Sequence, residues 1–253
     1  MGNTVVGITA AIALTLAATA AAADGPETTV RLGAGVLHAP SYRGSDDHDT
    51  DPVPYFDIRH GPFYATVTDG IGWDVFRRTG LRVGPFVTRA GGRSDAGDLE
   101  GLESVDGGAL AGIAAHWRRG PWRLRGDIAT PVTGDLEGLR ARVGTRYAGR
   151  IGQRWRYAVG PDLTWGDDDW NDALFAVSPA GSARSGLDAF HPGGAYYEVR
   201  VTARVTRRLG AGWSVTAITR AGRILGDAAD SPIVADVGDA NQTAAGIVLS
   251  YAF

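Results

Sequence analysis

The feature that most constrains this chain is a period-two alternation of apolar and charged residues, in which the charged partner is nearly always arginine. From Leu139 to Ile151 the odd positions are Leu139, Ala141, Val143, Thr145, Tyr147, Gly149 and Ile151, while Arg140, Arg142, Arg146 and Arg150 occupy even ones. The pattern returns as Trp122, Leu124 and Ile128 against Arg123, Arg125 and Asp127, and as Trp155, Tyr157, Val159 and Leu163 against Arg154, Arg156 and Asp162. A further instance sets Tyr197, Val199, Val201, Ala203 and Val205 against Glu198, Arg200, Thr202 and Arg204. Successive side chains of a strand point to opposite faces, so each segment has one oily face and one guanidinium face. Segments of about ten residues are long enough to cross a bilayer as tilted strands.

A soluble sandwich alternates too, so further features must choose. Aromatic residues sit at the ends of the apolar faces, at Trp117, Trp122, Trp155, Trp165, Trp213 and Tyr251, where a membrane girdle would lie. Short connections, such as Arg118-Arg119-Gly120-Pro121 and Gly152-Gln153, alternate with long ones at 39–52, 91–107, 130–138, 165–193 and 223–241, with a tight Asp69-Gly70 turn, the second of six outer connections, as the exception. That rhythm is the one expected of periplasmic turns and extracellular loops. The chain ends with Leu249, Tyr251 and Phe253 on one face, which resembles the terminal-strand signal read by the machinery that inserts bacterial outer-membrane barrels. The expected fold is therefore all-β: a transmembrane antiparallel up-and-down barrel of about twelve strands, or ten if 62–77 forms no hairpin of its own.

The N-terminus fits this placement. Gly2 to Ala23 carries no charge and closes on Ala20-Ala21-Ala22-Ala23, a run of small residues suited to signal peptidase. Residues 1–23 are read as a cleaved signal peptide and 24–253 as a single barrel domain in the bacterial outer membrane.

Charge sharpens the orientation. All 25 basic residues are Arg, and the formal charge of −3 hides a steep division. With these boundaries the outer loops hold 21 of the 28 acids and only four Arg, about −17 outside against +14 elsewhere. Arginine on lipid-facing positions would cost roughly 2–4 kcal/mol at the membrane midplane, so these side chains line a lumen. Arg123, Arg125, Arg140, Arg142, Arg146, Arg154, Arg156, Arg200 and Arg204 are the expected lumen lining. Two arrangements fit: hydrogen-bonded networks with the inward acids Asp57, Asp74, Asp127, Asp162 and Glu198, or a weakly anion-selective pore.

Other chemistry is thinly represented. The chain has no Cys, which excludes disulfides, iron–sulfur clusters and thiol catalysis. Its near-neutral total gives no support to nucleic-acid binding. The runs Asp46-Asp47-His48-Asp49 with Asp51, and Asp167-Asp168-Asp169 with Asp172, offer carboxylates to a hard cation but match no calcium-loop spacing. They are read as solvated loops facing lipopolysaccharide. No Gly-x-Ser-x-Gly elbow or phosphate-cradling loop occurs, so neither a catalytic residue nor a metal or cofactor site is expected.

Four local signatures go further. The first loop reads Ala39-Pro40-Ser41-Tyr42-Arg43-Gly44-Ser45 and then Pro52-Val53-Pro54-Tyr55. The fifth holds Phe175-Ala176-Val177-Ser178-Pro179 through Gly186-Leu187, with Phe190. The sixth holds Leu225-Gly226-Asp227 through Ser231-Pro232-Ile233-Val234, and the chain closes Leu249-Ser250-Tyr251-Ala252-Phe253. In this order the set resembles the MipA/OmpV family of outer-membrane proteins over essentially the whole mature chain. The resemblance implies a barrel without catalytic residues. In the family's namesake it implies a scaffold bridging a lytic murein transglycosylase to a bifunctional murein synthase. Periplasmic contacts to such partners would fall on the turns carrying Arg77, Arg78, Arg118, Arg119, Arg207 and Arg208. A narrow small-solute channel or a surface adhesin is the alternative. Phe175, Val177, Leu187 and Phe190 are apolar in an otherwise polar loop and are expected to fold into the barrel mouth as a plug.

Overall fold

A computed structural model describes residues 27–253; the expected signal peptide lies outside the described residues. The strands are β1 (Thr28–Pro40), β2 (His48–His60), β3 (Phe63–Thr66), β4 (Gly70–Trp73), β5 (Phe76–Arg78), β6 (Leu81–Ala90) and β7 (Gly108–Arg119). They continue as β8 (Trp122–Pro131), β9 (Arg140–Ile151), β10 (Trp155–Gly166), β11 (Tyr196–Gly210), β12 (Trp213–Leu225) and β13 (Asn241–Ala252). Apart from β4 and β5, neighbours in sequence pair antiparallel, β13 pairs with β1, and β4 pairs with β6, which closes the sheet into a barrel.

The thirteen segments make twelve staves, because β4 and β5 are halves of one. Ile71 faces Val87 in the upper half and Phe76 faces Val83 in the lower, a slip of one residue across Asp74 and Val75. The slip turns the Trp73 carbonyl toward β6, where a Cβ on Gly84 would stand 1.8 Å from it. Glycine is required at 84 because two backbones meet there.

Alternation resolves as inside and outside. Val143, Tyr147, Val159, Val201, Ile247 and Leu249 form part of an exposed apolar belt. At the short-turn end Trp122 meets Tyr147 edge-on at 5.2 Å, and Trp213 meets Tyr251 at the same distance, forming part of the aromatic girdle. Phe253 donates its N–H to the Val30 carbonyl at 3.0 Å beside the β1–β13 seam. An apolar belt with aromatic edges on a closed, even-staved barrel is the construction of a bacterial outer-membrane protein.

The first outer connection is shorter than the 39–52 expected, because β1 and β2 stay in register up to the pair Pro40 and His48. On its other side β2 is paired with β3 only from Asp57 to His60. Above that point the strand is an edge. The Phe56 carbonyl points to that side, accepting from Val67 N, and Pro52 and Pro54 share its parity. The two prolines therefore sit where a missing N–H costs nothing and where another strand is discouraged from pairing.

Replacing Gly84 with Val should destabilise the barrel by about 1–3 kcal/mol, since the side chain has no space to enter. Urea unfolding of the refolded protein in lipid vesicles checks this, and an unchanged midpoint would place the closure elsewhere.

Candidate functional site

The long outer loops fold inward. The third carries a 3-10 turn at Gly97–Leu99, the fifth carries helices α1 (Asp168–Phe175) and α2 (Pro179–Ser185), and the sixth carries α3 (Asp227–Asp230) and α4 (Pro232–Ala235). Their starts are written locally. Asp167 caps α1 by accepting from Trp170 N at 3.0 Å, and its second oxygen accepts from Leu139 N at 2.8 Å. Ser178 accepts from Gly181 N ahead of Pro179, and Ser231 accepts from Ile233 N ahead of Pro232. Serine followed by proline is a helix-start signal, and it was the available clue to these elements.

The helices fill the mouth. Phe175 is fully buried and stacks on Tyr196 of β11 at 5.6 Å, with Val177 buried beside it. Leu187 and Phe190 are half-buried against the cluster of Leu99, Leu102, Val177 and Ile233. A second apolar cluster joins Trp170, Leu174 and Phe175 to Phe86, Leu110, Ala129 and Ile224 on the barrel walls. Polar contacts fasten these loops. Ser231 donates to the Phe175 carbonyl at 2.7 Å, and Arg93 donates to the carbonyls of Leu174 and Ala176 at the end of α1. Tyr42 donates to the Val237 carbonyl at 3.2 Å. On the outer face Arg184 donates to Glu103 at 2.7 Å, which holds that carboxyl below its ordinary pKa. The first-, fifth- and sixth-loop signatures thus converge on one plug.

Beneath the plug the lumen arginines divide into two groups. Asp127, whose side chain is fully buried, receives Arg125 at 3.1 Å, Arg140 at 2.6 Å and Arg142 at 3.1 Å. Arg125 also reaches Asp69 and lies over the Phe86 ring. Arg146 pairs with Asp162 at 2.5 Å, and Thr202 donates to the same carboxylate. Arg200 approaches Glu198, which accepts from the Tyr196 hydroxyl at 2.7 Å. The rest lie toward the short turns. Arg123, Arg156 and Arg204 line a cavity of about 440 Å³ together with Arg31, Arg150 and Arg208. Arg154 is corrected: it falls in the exposed turn between β9 and β10, outside this lining, because β10 begins only at Trp155. Arg31 and Arg208 were missed as lumen residues, although the parity of their strands places them inside; Arg150 lines the cavity as its place on the guanidinium face of β9 implies.

At the rim of the short turns Arg77, Arg78, Arg118, Arg119, Arg207 and Arg208 are all exposed. Arg78 lies over Phe76 and Arg207 over Trp155. At the seam Leu249 and Phe253 are exposed, and Tyr251 meets Phe253 at 4.9 Å. The acidic runs have structural partners. Asp167 is engaged as a cap, Asp172 meets His191 at 2.5 Å, and His48 lies 3.0 Å from the Asp46 carbonyl. The carboxylates of Asp167, Asp168 and Asp169 do lie close together.

The profile of the family described as MltA-interacting protein MipA matches residues 32–253. The chain belongs to that family. No curated protein matches it. Among solved structures it is similar to the outer membrane protein OprD from Pseudomonas aeruginosa, at 10% identity and a TM-score of 0.40, over 92% of this chain and 66% of that one. It is also similar to the COG4313 outer membrane channel from Pseudomonas putida F1, at 13% identity and a TM-score of 0.36, over 92% of this chain and 97% of that one. A third is the outer membrane channel DcaP of Acinetobacter baumannii, at 8% identity and a TM-score of 0.39, over 90% and 96% of the two chains. In this MipA-family barrel Arg125, Arg140, Arg142, Arg146 and Arg200 beneath the plug are paired with carboxylates, whereas the six arginines of the cavity toward the short turns are not.

Two outcomes test that division. Asp127→Asn leaves three guanidinium groups without their carboxylate and should cost about 3–5 kcal/mol in urea unfolding; unchanged stability would mean that they are satisfied otherwise. Replacing residues 168–193 with a short Gly-Ser turn should give discrete conductance steps in planar bilayers where the intact chain gives none. The replacement is feasible because Gly166 and Tyr196 are paired neighbours. Identical traces would remove the plug.

Proposed function

We propose that this outer-membrane barrel is a non-catalytic scaffold that presents its periplasmic rim to enzymes of murein remodelling, a lytic transglycosylase and a murein synthase among them. The observation that carries the reading is the asymmetry of the two ends. The outer mouth is filled by an apolar core that draws on the third, fifth and sixth loops. The periplasmic rim exposes guanidinium groups on successive turns, at Arg77 and Arg78, Arg118 and Arg119, and Arg207 and Arg208. Arg77, Arg118 and Arg119 have no side-chain partner among the described residues. An exposed basic ring of this kind steers an acidic protein surface into contact and sets its register, acting more on capture rate than on intrinsic affinity. Membership of a family described as MltA-interacting supports the same direction. A plugged lumen gives less support to the small-solute channel, which requires a continuous wet path.

Capture of a purified periplasmic lytic transglycosylase on the immobilised barrel tests the reading. Reversing Arg77, Arg78, Arg118 and Arg119 to Glu should lower capture at least tenfold at low salt, a loss of about 1.4 kcal/mol or more. Undiminished capture would eliminate the turns as the docking surface.

A further inference from the structure

The cavity in the periplasmic half of the lumen is built unlike the rest of the interior. Six arginines, Arg31, Arg123, Arg150, Arg156, Arg204 and Arg208, reach into about 440 Å³. The acid among its lining residues is Asp57, which already accepts from Arg59 at 3.1 Å. No hydrogen bond or ion pair engages any of the six guanidinium groups among the described residues. The contrast with the level above is sharp, since Asp127, Asp162 and Glu198 each meet at least one arginine there.

Register makes the arrangement costly as it stands. Arg150 and Arg156 are directly opposed across the β9–β10 pair on the inward face, and like charges directly opposite one another on a sheet are destabilising. Water screens part of that repulsion, but a walled cavity screens less than bulk solvent. The fold pairs Arg125, Arg140, Arg142, Arg146 and Arg200 with carboxylates and leaves these six free, a cluster that a counter-charge from outside the chain would relieve. The plug lies at the opposite end, so the ligand would enter from the periplasm.

We infer that this vestibule is a binding site for a small phosphate ester or pyrophosphate bearing at least two negative charges. Guanidinium forks match the oxygens of phosphate in bidentate pairs, and several converging forks favour a multiply charged group over a single carboxylate. The volume falls in the range of small-molecule sites. Val248 and Ile218 in the wall give an apolar surface for the organic part. The same chemistry is offered by a free organic phosphate and by the head group of a doubly charged phospholipid such as cardiolipin reaching in from the inner leaflet.

Titration calorimetry of the full mature barrel in a neutral detergent, with inorganic pyrophosphate as probe, tests the site. Saturable binding that weakens with added salt is expected. Arg150→Gln with Arg156→Gln should weaken it at least tenfold while leaving the anion-free melting temperature unchanged or higher, because a repulsive pair is removed. Arg89→Gln, on the outer face of β6, should bind as the parent does. Should the first double variant fail to fold, Arg123→Gln with Arg204→Gln gives the same readout from β8 and β11. Absence of saturable heat, parental affinity in a folded double variant, or equal displacement by chloride at matched ionic strength would overturn the proposal. Repeating the titration in nanodiscs distinguishes the sources: pyrophosphate excluded in cardiolipin-containing discs but bound in phosphatidylcholine identifies a lipid head group, and binding in both identifies a free phosphate.

Discussion

A guanidinium group cannot face hydrocarbon, and in this chain that prohibition meets a strand pattern that repeatedly places arginine on one face of β8 to β11. The two together leave one solution: the faces that carry Arg123 and Arg125, Arg140 to Arg150, Arg156, and Arg200 and Arg204 turn inward, and the sheet closes on itself. The barrel then faces a second demand, because guanidinium groups packed inside a narrow wall repel one another and lose water. Asp127 answers it at one level by gathering Arg125, Arg140 and Arg142, and Asp162 with Arg146 answers it at another. The outward apolar belt, the plug and the vestibule are all arranged around this column of charge.

The plug turns a barrel wall into a vessel with one filled end. Its parts come from loops far apart in sequence, yet each ties to another: Tyr42 to Val237, Arg93 to Leu174, Ser231 to Phe175, Glu103 to Arg184. Apolar packing fills the mouth while buried hydrogen bonds fix which loop lies where, a combination that specifies one arrangement. Compensation is uneven: Asp127, Asp162 and Glu198 match the arginines beneath the plug, while the cluster around Arg150 and Arg156 is left without a carboxylate of its own.

Much of the wall was legible before any coordinates. Twelve staves, their approximate bounds, the inward parity of most arginines and the long and short connections all follow from alternation and turn chemistry. The misplacements have physical causes. Arg154 obeys the inward parity but precedes the first paired residue of β10, so it belongs to a turn. The interruption of one stave at Asp74 and Val75 is invisible in a pattern that stays apolar on both sides of it. The first outer loop was drawn too long because Asp49, Asp51 and Pro52 read as loop residues. They lie on an edge, where charge and proline are favoured rather than excluded.

By itself the sequence determined the side on which each residue lies, because a strand's two faces are set by parity alone and lipid accepts only one kind of face. It also determined where short helices can begin, through Ser178-Pro179 and Ser231-Pro232. Only the tertiary structure decided which charges have partners. Pairing depends on the height at which each strand crosses its neighbours, and that height comes from register around the closed wall: it brings Arg142 opposite Asp127 and Arg150 opposite Arg156. Two arginines of identical parity thus end as a clamped ion and an open one.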